Sequence, residues 1–241
     1  MINSSKLFPN DSVVKGYSFL KDGNMSFELG DTEGAVENRR RFFLGLGIDY
    51  RSLVCAKQTH GKNVFKATRL DAGKGALPQT PSVPDADAFI TADKHVPLGV
   101  FTADCLSIIL FDPQHEAIGI IHAGWRSSKD EILSKTIAAM HKDYKTDPKD
   151  LQVEFGPAIK SCCYNVGSDV ASTFPGHIYK RNGLLYFDLV GVNIQQALDQ
   201  GISASNIIDG SECTSCNQGR FYSYRRLGAN CGRMISVVML K

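Results

Sequence analysis

The sequence predicts an α+β fold in which mixed β-sheets are layered with flanking helices. Short runs rich in β-branched residues, bounded by turn formers, recur between residues 52 and 240 and predict strands. Segments with helical spacing lie between the later runs. A chain of 241 residues is long enough to bury roughly 70% of its unfolded surface. We therefore expect one domain spanning residues 1–241.

The predicted strands share a short length and an apolar interior; they are residues 52–58, 86–91, 97–104, 106–112, 117–123, 151–156 and 234–240. A proline at a turn position, Pro113, separates two of them, so residues 98–122 are expected to form adjacent antiparallel strands. Their unbroken apolar runs predict burial on both faces. Residues 71–84 are rich in Gly and Pro and predict a long loop.

Helices are predicted in the second half of the chain. The first begins at a capping-box pattern, Ser128 followed three residues later by Glu131, and runs to about residue 144. Its apolar side is expected to consist of Ile132, Ile137 and Met140. The other two are residues 167–174 and residues 189–200, the latter stopped by Gly201.

Composition and charge exclude several classes of protein. The formal net charge of +2 provides no long-range field for nucleic acid or an acidic membrane. No segment has the roughly 18 consecutive apolar residues of a membrane span, and the first residues lack the pattern of a secretory signal. We expect a cytoplasmic enzyme, in which the seven cysteines are buried thiols, metal ligands or nucleophiles rather than disulfides.

Two apolar runs end in reactive side chains. Asp104 ends the strand predicted at 97–104 and Cys105 follows it, and His122 closes the strand predicted at 117–123. Neighbouring strand ends would place both side chains at one rim of a sheet. The small residues after His122 leave space beside its side chain, and Arg126 adds a cation. A helix is expected to start at Ser127 or Ser128, and the free backbone N–H groups at its N-terminus favour an anion nearby.

A third member of this group is His60, which precedes Gly61 in a loop after a predicted strand. Two imidazoles and one thiolate suit zinc, and three protein ligands leave the fourth tetrahedral position open for water. Zinc lowers the pKa of such a water towards about 7 and so supplies a nucleophile at neutral pH. Copper could also bind a site with His and Cys ligands.

Other interpretations of the same residues remain open. Cys105 could be a thiolate nucleophile with His122 as its base, which would give a metal-independent amidase or deamidase but leave His60 without a role. Each of these residues could also be structural, in a binding module without catalytic activity. Copper-dependent phenol oxidation would require more histidines than the six in the chain.

The segments that carry these residues resemble a known family. They read, in order, "KQTHG", "DADAFIT", "TADC", "IGIIHAGWR", "GPAIKSCCYNVG" and "CTSCNQGRFYSYRRLGANCGRM". Together they are similar to the family first described as multicopper polyphenol oxidoreductases or laccases and later as zinc-dependent purine nucleoside phosphorylases with adenosine deaminase activity. The resemblance extends from about residue 50 to the end of the chain.

The resemblance implies that His60, Cys105 and His122 are the metal ligands. It also implies phosphorolysis of adenosine, inosine, guanosine and S-methyl-5′-thioadenosine, together with deamination of adenosine. Purine nucleosides and phosphate would be the partners, with no nucleic acid and no membrane, in a monomer or a homodimer. For deamination, we expect Asp104 to transfer the proton.

Substrate contacts are expected from four side chains. Arg126 and Arg225 are predicted to hold phosphate, although arginines at such positions can equally be solvated or paired with carboxylates. Tyr224 could stack on a purine or belong to the core of the final strand, as could its neighbours in "RFYSY". Gln58 is expected to orient the site.

The remaining cysteines and histidines are assigned no catalytic role. Cys213 and Cys216 have the spacing of a redox or zinc site, but no second such pair exists, and the adjacent Cys162 and Cys163 have poor geometry for sharing a metal. We expect a structural or loop role for all four. The other histidines are expected to face solvent; they are His95, His115, His141 and His177.

Overall fold

The computed structural model of the chain describes residues 7–9 and 11–241. In that part of the chain the strands are β1 (Val13–Tyr17), β2 (Val64–Lys66), β3 (Ala88–Thr91), β4 (Leu98–Thr102), β5 (Leu106–Asp112), β6 (Ala117–Ala123), β7 (Gln152–Phe155), β8 (Asn165–Val166), β9 (Ile178–Arg181), β10 (Leu184–Phe187), β11 (Ile207–Asp209) and β12 (Met234–Leu240). The α-helices are α1 (Thr32–Leu44), α2 (Trp125–Lys129), α3 (Ile132–Tyr144), α4 (Ser168–Thr173), α5 (Leu189–Asp199) and α6 (Tyr224–Leu227). Within these residues, no helix combines the length and the apolar character that crossing a bilayer requires.

The strands form three sheets. The largest has the order β11-β7-β5-β6-β3-β2 and mixes parallel and antiparallel pairs. A second sheet has the order β1-β12-β4 and is antiparallel throughout. A small third sheet, β8-β10-β9, lies beside α4. The predicted fold class, mixed sheets with flanking helices, is therefore confirmed.

The core is divided into layers by the two larger sheets. One face of the six-stranded sheet packs on α3 and α5 through side chains such as Ile108, Ile121 and Ile137. Its other face packs on the three-stranded sheet through Ile109, Phe111 and Val238. The outer face of that second sheet is covered by α1 and its neighbours. Strands β5, β6 and β12 are buried at every position because both faces of each are covered.

Two strand predictions need correction. The pairing of β5 with β6 is antiparallel as predicted, but β4 does not join them, since it pairs with β12 in the other sheet. Residues 52–58 form no strand and make only isolated bridges from Val54 and Ala56. Strand β2 was not predicted, because a segment of three residues is too short to show periodicity.

The capping-box prediction is also wrong. Ser128 lies inside α2, where its buried Oγ accepts a hydrogen bond from Nδ2 of Asn193 at 2.9 Å. Glu131 instead adopts a left-handed conformation between α2 and α3 and provides no side-chain cap. The helix does end at Tyr144 with Ile132, Ile137 and Met140 buried, as predicted. Helices α4 and α5 lie where they were predicted, and Gly201 follows α5 with a φ of +90°.

Candidate metal centre and active site

One edge of the six-stranded sheet brings the predicted metal ligands together. His122 lies at the carboxyl end of β6, and Cys105 lies immediately before β5. Because these strands are antiparallel and Ser107 pairs with His122, the start of β5 and the end of β6 meet at the same edge. His60 reaches this edge from the loop before β2. Cys105 and His122 therefore lie at one rim as predicted, although the strand that ends before Cys105, β4, belongs to the other sheet.

The donor atoms of the three residues lie close enough to share one ion. Nδ1 or Nε2 of His60, Sγ of Cys105 and a ring nitrogen of His122 all lie within 4.8 Å of one another. Sγ of Cys105 is 3.8 Å from Nε2 of His60, and the two imidazole rings meet edge to face with centroids 4.7 Å apart. Two nitrogens and a sulfur at such distances fit zinc, which binds them at about 2.0–2.3 Å.

Asp87, just before β3, orients both histidines. Its Oδ1 lies 2.7 Å from Nδ1 of His122, which leaves Nε2 of His122 as the ring nitrogen available to a metal. The same carboxylate accepts hydrogen bonds from the backbone N–H groups of Thr59, His60 and Gly61 at 2.7–3.1 Å. These bonds hold His60 in a left-handed conformation with a φ of +58°. Such carboxylate–histidine contacts fix ring orientation at metal sites.

The site favours ionised forms of Cys105 and His122. Burial opposes both charges, raising the pKa of the Cys105 thiol and lowering that of His122. Each charge nevertheless stabilises the other, with the result that the pKa of Cys105 falls to about 6 and that of His122 rises to about 9. The pKa of Asp87 falls to about 2, because its bonds to His122 and to the backbone outweigh burial.

Gly124 provides the space that the sequence predicts after His122. A Cβ atom at this position would lie 3.1 Å from Cδ2 of His60 and 3.2 Å from Sγ of Cys105. Contacts this short would push the two ligand side chains apart. Glycine at residue 124 is therefore needed for close approach rather than for an unusual backbone conformation.

The three ligands open into a cavity of about 650 Å³, a size typical of small-molecule sites. Among the described residues, three arginines line the cavity, Arg126, Arg225 and Arg233, against two acidic residues, Glu28 and Asp104. Apolar and aromatic surface is supplied by Trp125, Ile159, Tyr164 and Tyr224 among others. This combination suits a ligand with both an anionic part and a flat apolar part.

Asp104 is buried and its carboxylate is occupied by protein donors. It accepts hydrogen bonds from Oγ1 of Thr214 at 2.6 Å, from Oγ of Ser223 at 3.0 Å and from the backbone N–H of Arg225 at 2.6 Å. A bend with a φ of +92° at Asp104 lets it sit beside Cys105 while pointing towards α6. These contacts favour a positioning role, and the proton-transfer role of Asp104 stays a prediction.

The predicted substrate-contacting residues all line the cavity. The guanidinium of Arg126 has no hydrogen-bond or ion-pair partner among the described residues, and it lies 4.4 Å from the Trp125 ring centre. Nη1 of Arg225 donates to the carbonyl of Asn165 at 2.8 Å. Tyr224 is 52% exposed and begins α6 rather than a strand. Gln58 forms two hydrogen bonds with the backbone of Phe101, at 2.7 and 2.8 Å.

Several residues of the candidate site were not predicted from the sequence. Asp87 was visible as an acid directly before a buried strand, in the segment "DADAFIT", but nothing local links it to His122. Tyr164 and Arg233 lie in segments that resemble the family, but nothing in those segments indicates that their side chains reach the cavity. Of the other histidines, His95, His115 and His141 are exposed as predicted, whereas His177 is half-buried.

The structure contradicts the geometry predicted for the remaining cysteines. Sulfur atoms of Cys162, Cys163, Cys213 and Cys216 all lie within 4.8 Å of one another. The adjacent pair can approach one point because backbone hydrogen bonds from Cys163 and Tyr164 to the carbonyl of Lys160 form a tight turn there. The cluster lies outside the residues that line the cavity.

Comparisons with known proteins find relatives that are similar along most of the chain. Purine nucleoside phosphorylase YlmD of Geobacillus stearothermophilus is 32% identical over 225 residues, covering 89% of this chain and 82% of the relative. Adenosine deaminase RL5, from an unknown prokaryotic organism, is 30% identical over 244 residues, covering 95% of this chain and 90% of the relative. Both are therefore similar along most of their length.

Solved structures show the same fold. The crystal structure of YlmD from Geobacillus stearothermophilus matches with a TM-score of 0.91 and 30% identity, over 97% of this chain and 94% of that chain. The hypothetical protein YfiH of Bacillus licheniformis matches with a TM-score of 0.90 and 26% identity, over 98% of each chain. The sequence model of one family matches residues 13–241. The chain therefore belongs to the family described as multi-copper polyphenol oxidoreductase laccases.

Proposed function

We propose that this protein is a zinc-dependent purine nucleoside phosphorylase that also deaminates adenosine. The observation that carries the proposal is the meeting of His60, Cys105 and His122 in a cavity that also presents arginines. Relatives named purine nucleoside phosphorylase and adenosine deaminase support it. The proposed substrates are adenosine, inosine, guanosine and S-methyl-5′-thioadenosine, with phosphate as the second substrate.

Phosphate would bind where the cavity is most positive. Arg126 is the best candidate, since its guanidinium has no charged partner among the described residues and leans on the face of Trp125. Arg225 is held in place by Asn165 and by the bond from its backbone to Asp104. Guanidinium groups recognise phosphate through paired N–H donors and keep their charge at all relevant pH values.

The purine would lie against aromatic side chains of the same cavity. Tyr164 is half-buried between the metal ligands and Arg225, with the guanidinium carbon of Arg225 at 5.4 Å from its ring centre. Tyr224 offers a more exposed ring at the start of α6. A flat base stacked on either ring would replace water on apolar surface, which favours binding.

In phosphorolysis, a phosphate oxygen forms a bond to C1′ of the sugar as the bond from C1′ to N9 breaks. The electron pair of the broken bond leaves with the purine, which takes up a proton, and ribose 1-phosphate is the other product. The arginines would hold the attacking phosphate in line and stabilise its charge. In deamination, water adds to C6 and ammonia leaves, which gives inosine.

Zinc, when bound, supplies Lewis-acid chemistry that lowers the pKa of nearby water. The protein's own residues hold and orient that centre: His60 and His122 through Asp87, and Cys105 through the bend at Asp104. Copper could occupy the same donors, but phenol oxidation is disfavoured because the other four histidines of the chain lie outside the cavity.

The test is product analysis with a metal control. Pure protein is incubated with adenosine, with and without phosphate, before and after chelation and zinc addition. We expect adenine and ribose 1-phosphate only when phosphate is present, inosine in either case, and loss of all products on chelation with recovery on zinc addition. The absence of any nucleoside turnover by zinc-loaded protein would refute the proposal.

A metal-independent amidase remains the second candidate, because Cys105, His122 and Asp87 form an ion-paired thiolate, imidazolium and carboxylate set. The two proposals differ in their dependence on His60. Under the amidase proposal, a His60→Ala variant keeps its activity and chelation has no effect. Under the zinc proposal, the same variant loses both bound zinc and turnover.

A further inference from the structure

The cluster of four cysteines has the dimensions of a second metal site. Sγ of Cys216 lies 3.3 Å from Sγ of Cys162 and 3.1 Å from Sγ of Cys163, and the four sulfurs lie within 4.8 Å of one another. Four sulfurs bound to one zinc ion at about 2.3 Å are about 3.8 Å apart at tetrahedral corners. The two separations from Cys216 are somewhat shorter than this value, and none of the separations in the cluster exceeds 4.8 Å.

Disulfide formation is a poorer explanation of the same geometry. A disulfide joins two sulfurs at about 2.05 Å and uses them in pairs, whereas Cys216 approaches two partners almost equally. Cys162 and Cys163 are adjacent in the chain, so both face one point only because of the turn at Lys160. A disulfide would not require this turn, whereas a metal ion bound by both Cys162 and Cys163 would.

Backbone donors lie beside one of the four sulfurs. The N–H groups of Lys160 and Cys216 donate to Sγ of Cys213. A ladder of hydrogen bonds between Ala158 and the segment of Glu212 and Thr214, each 3.1 Å, holds the two halves of the cluster together.

Positive side chains lie on or against the same segments, although one of them, Lys160, also pairs with Asp209 at 3.6 Å. Arg181 donates to the carbonyl of Cys162 at 2.8 Å, and Arg226 donates to the carbonyls of Thr214 and Ser215 at 3.2 and 3.0 Å. Lys160 begins the turn and bonds to Ser211 at 3.0 Å. A zinc ion with four thiolates has a net charge of −2, and these cations would offset it.

We propose that Cys162, Cys163, Cys213 and Cys216 bind a second zinc ion with a structural role. All four positions are filled by protein sulfur, so this site has no open position for water or substrate, as is typical of structural zinc. The two zinc sites are independent in composition, since no ligand is shared. The second site therefore does not depend on the nucleoside chemistry proposed above.

This ion would brace the wall of the cavity from outside. Tyr164, which follows Cys163, lines the cavity directly. Thr214, which follows Cys213, donates to the Asp104 carboxylate at 2.6 Å, and Asp104 precedes the ligand Cys105. Zinc at the cluster would thus fix both the aromatic wall and the residue that positions Cys105 and α6.

The experiment counts zinc in a chain whose first site has been removed. The His60→Ala/Cys105→Ser double variant is purified without chelator, and its zinc content is measured by elemental analysis. We expect it to keep about one zinc ion per chain, and less than about a tenth when Cys213→Ser and Cys216→Ser are added. Cys231→Ser, which removes a buried cysteine outside the cluster, is the matched control and should leave the count unchanged.

Cobalt substitution gives a second measurement on the double variant, which requires no change in the cluster. We expect the strong visible bands and near-ultraviolet sulfur-to-cobalt absorption of a tetrahedral tetrathiolate site. Absence of stoichiometric zinc and of this spectrum, or detection of a cluster disulfide by mass spectrometry of the native protein, would overturn the proposal. Nucleoside turnover is not part of this readout, so failure of either proposal leaves the other testable.

Discussion

Asp87 is a single residue whose carboxylate connects His60 and His122 in the candidate active site. One oxygen contacts Nδ1 of His122, and both oxygens accept backbone N–H groups from the loop that carries His60. Its negative charge favours the tautomer of His122 in which Nε2 is free for a metal. Asp87, which lies outside the residues that line the cavity, thereby positions two of the candidate metal ligands.

We expect Asp87→Asn to weaken zinc binding at the first site by about 10-fold to 100-fold, as is usual for carboxylates that orient metal-bound histidines. The asparagine side chain would lack the negative charge of the carboxylate. Its NH₂ group would also face backbone N–H groups of residues 59–61, which are donors themselves. Competition with a chromophoric chelator measures the affinity. Asp85→Asn, an exposed acid that bonds to the same loop through Thr59, is the control and should have little effect. Equal zinc affinity in the Asp87→Asn variant and the unmodified protein would contradict this role.

Zinc binding at the first site should release a proton from His122. In the metal-free protein the pKa of His122 is raised to about 9 and that of Cys105 is lowered to about 6. Between these values Cys105 is already ionised, but His122 must lose its proton before it can bind zinc. The logarithm of the affinity should therefore rise with pH with a slope of about one from about pH 7 to pH 9.

This slope can be measured by calorimetry in buffers of different ionisation enthalpy, using the Cys213→Ser/Cys216→Ser variant so that one site takes zinc. Above about pH 9 the curve should flatten, and below about pH 6 it should steepen as Cys105 becomes protonated. An affinity that does not change between pH 7 and pH 9 would show that His122 is neutral before zinc arrives.

The meeting of the candidate metal ligands was predicted from the sequence, and their surroundings were not. Cys105 and His122 interrupt or close apolar runs, a local anomaly that a single sequence displays. Asp87 and Thr214 act through partners 35 and 110 residues away, and no local pattern encodes such distances. The cysteine cluster was missed for a related reason, since the turn at Lys160 that makes adjacent cysteines converge is a tertiary feature.

Among the elements of the fold, helix α6 is a single turn that Asp104 holds at the cavity. Its N-terminal Ser223 and the backbone of Arg225 both donate to that carboxylate. Without these bonds, a four-residue helix has little stability of its own. Asp104 thus determines where Arg225 and Tyr224 face the cavity.

We expect Asp104→Asn to destabilise the fold by about 1–3 kcal/mol, because an amide satisfies fewer of the three donors. Its KM for phosphate should rise, while the pH profile of kcat should stay unchanged, since a positioning residue does not move protons. Steady-state kinetics over a range of pH separates the two roles. A fall of about 100-fold or more in kcat with loss of one limb of the pH profile would show that Asp104 transfers the proton.

A buried ion pair joins the two large sheets. Nζ of Lys15 in β1 lies 2.5 Å from Oε2 of Glu154 in β7, and the Glu154 side chain is only 2% exposed. Removing one partner would leave a charge buried without compensation. The loss of Lys15 is therefore expected to act mainly through the charge left on Glu154.

Lys15→Met should lower the free energy of unfolding by about 3–5 kcal/mol, whereas Lys15→Met/Glu154→Leu should be close to neutral, as found when buried pairs are replaced by apolar residues. Urea unfolding of the two variants measures the difference. Equal destabilisation by both would mean that packing of the Lys15 stem, rather than the charge on Glu154, determines the effect.

Elements were predictable where both faces are buried and unpredictable where pairing is long-range. Strands β5 and β6 are continuous apolar runs joined by a short turn, so their pairing is local. Strand β4 pairs instead with β12, which lies more than a hundred residues later. A single sequence offers no signal for that choice, and the same limit applies to β2 beside β3.

At the scale of the whole molecule, the two sheets and their helices form a layered core with the candidate active site at one edge. The ligands come from segments near residues 60, 105 and 122, and the cavity walls come from segments near residues 164 and 225. The site thus exists only when the layers are assembled. That the chain from residue 1 to residue 241 forms one domain, as a monomer or a homodimer, stays a prediction.

The most direct test of the account is X-ray diffraction recorded on both sides of the zinc absorption edge from crystals of zinc-loaded protein. We predict an anomalous peak about 2.0–2.1 Å from Nε2 of His60 and of His122 and about 2.3 Å from Sγ of Cys105. Absence of a peak between these atoms, in a preparation that turns over nucleosides, would contradict the claim that they form the catalytic metal centre.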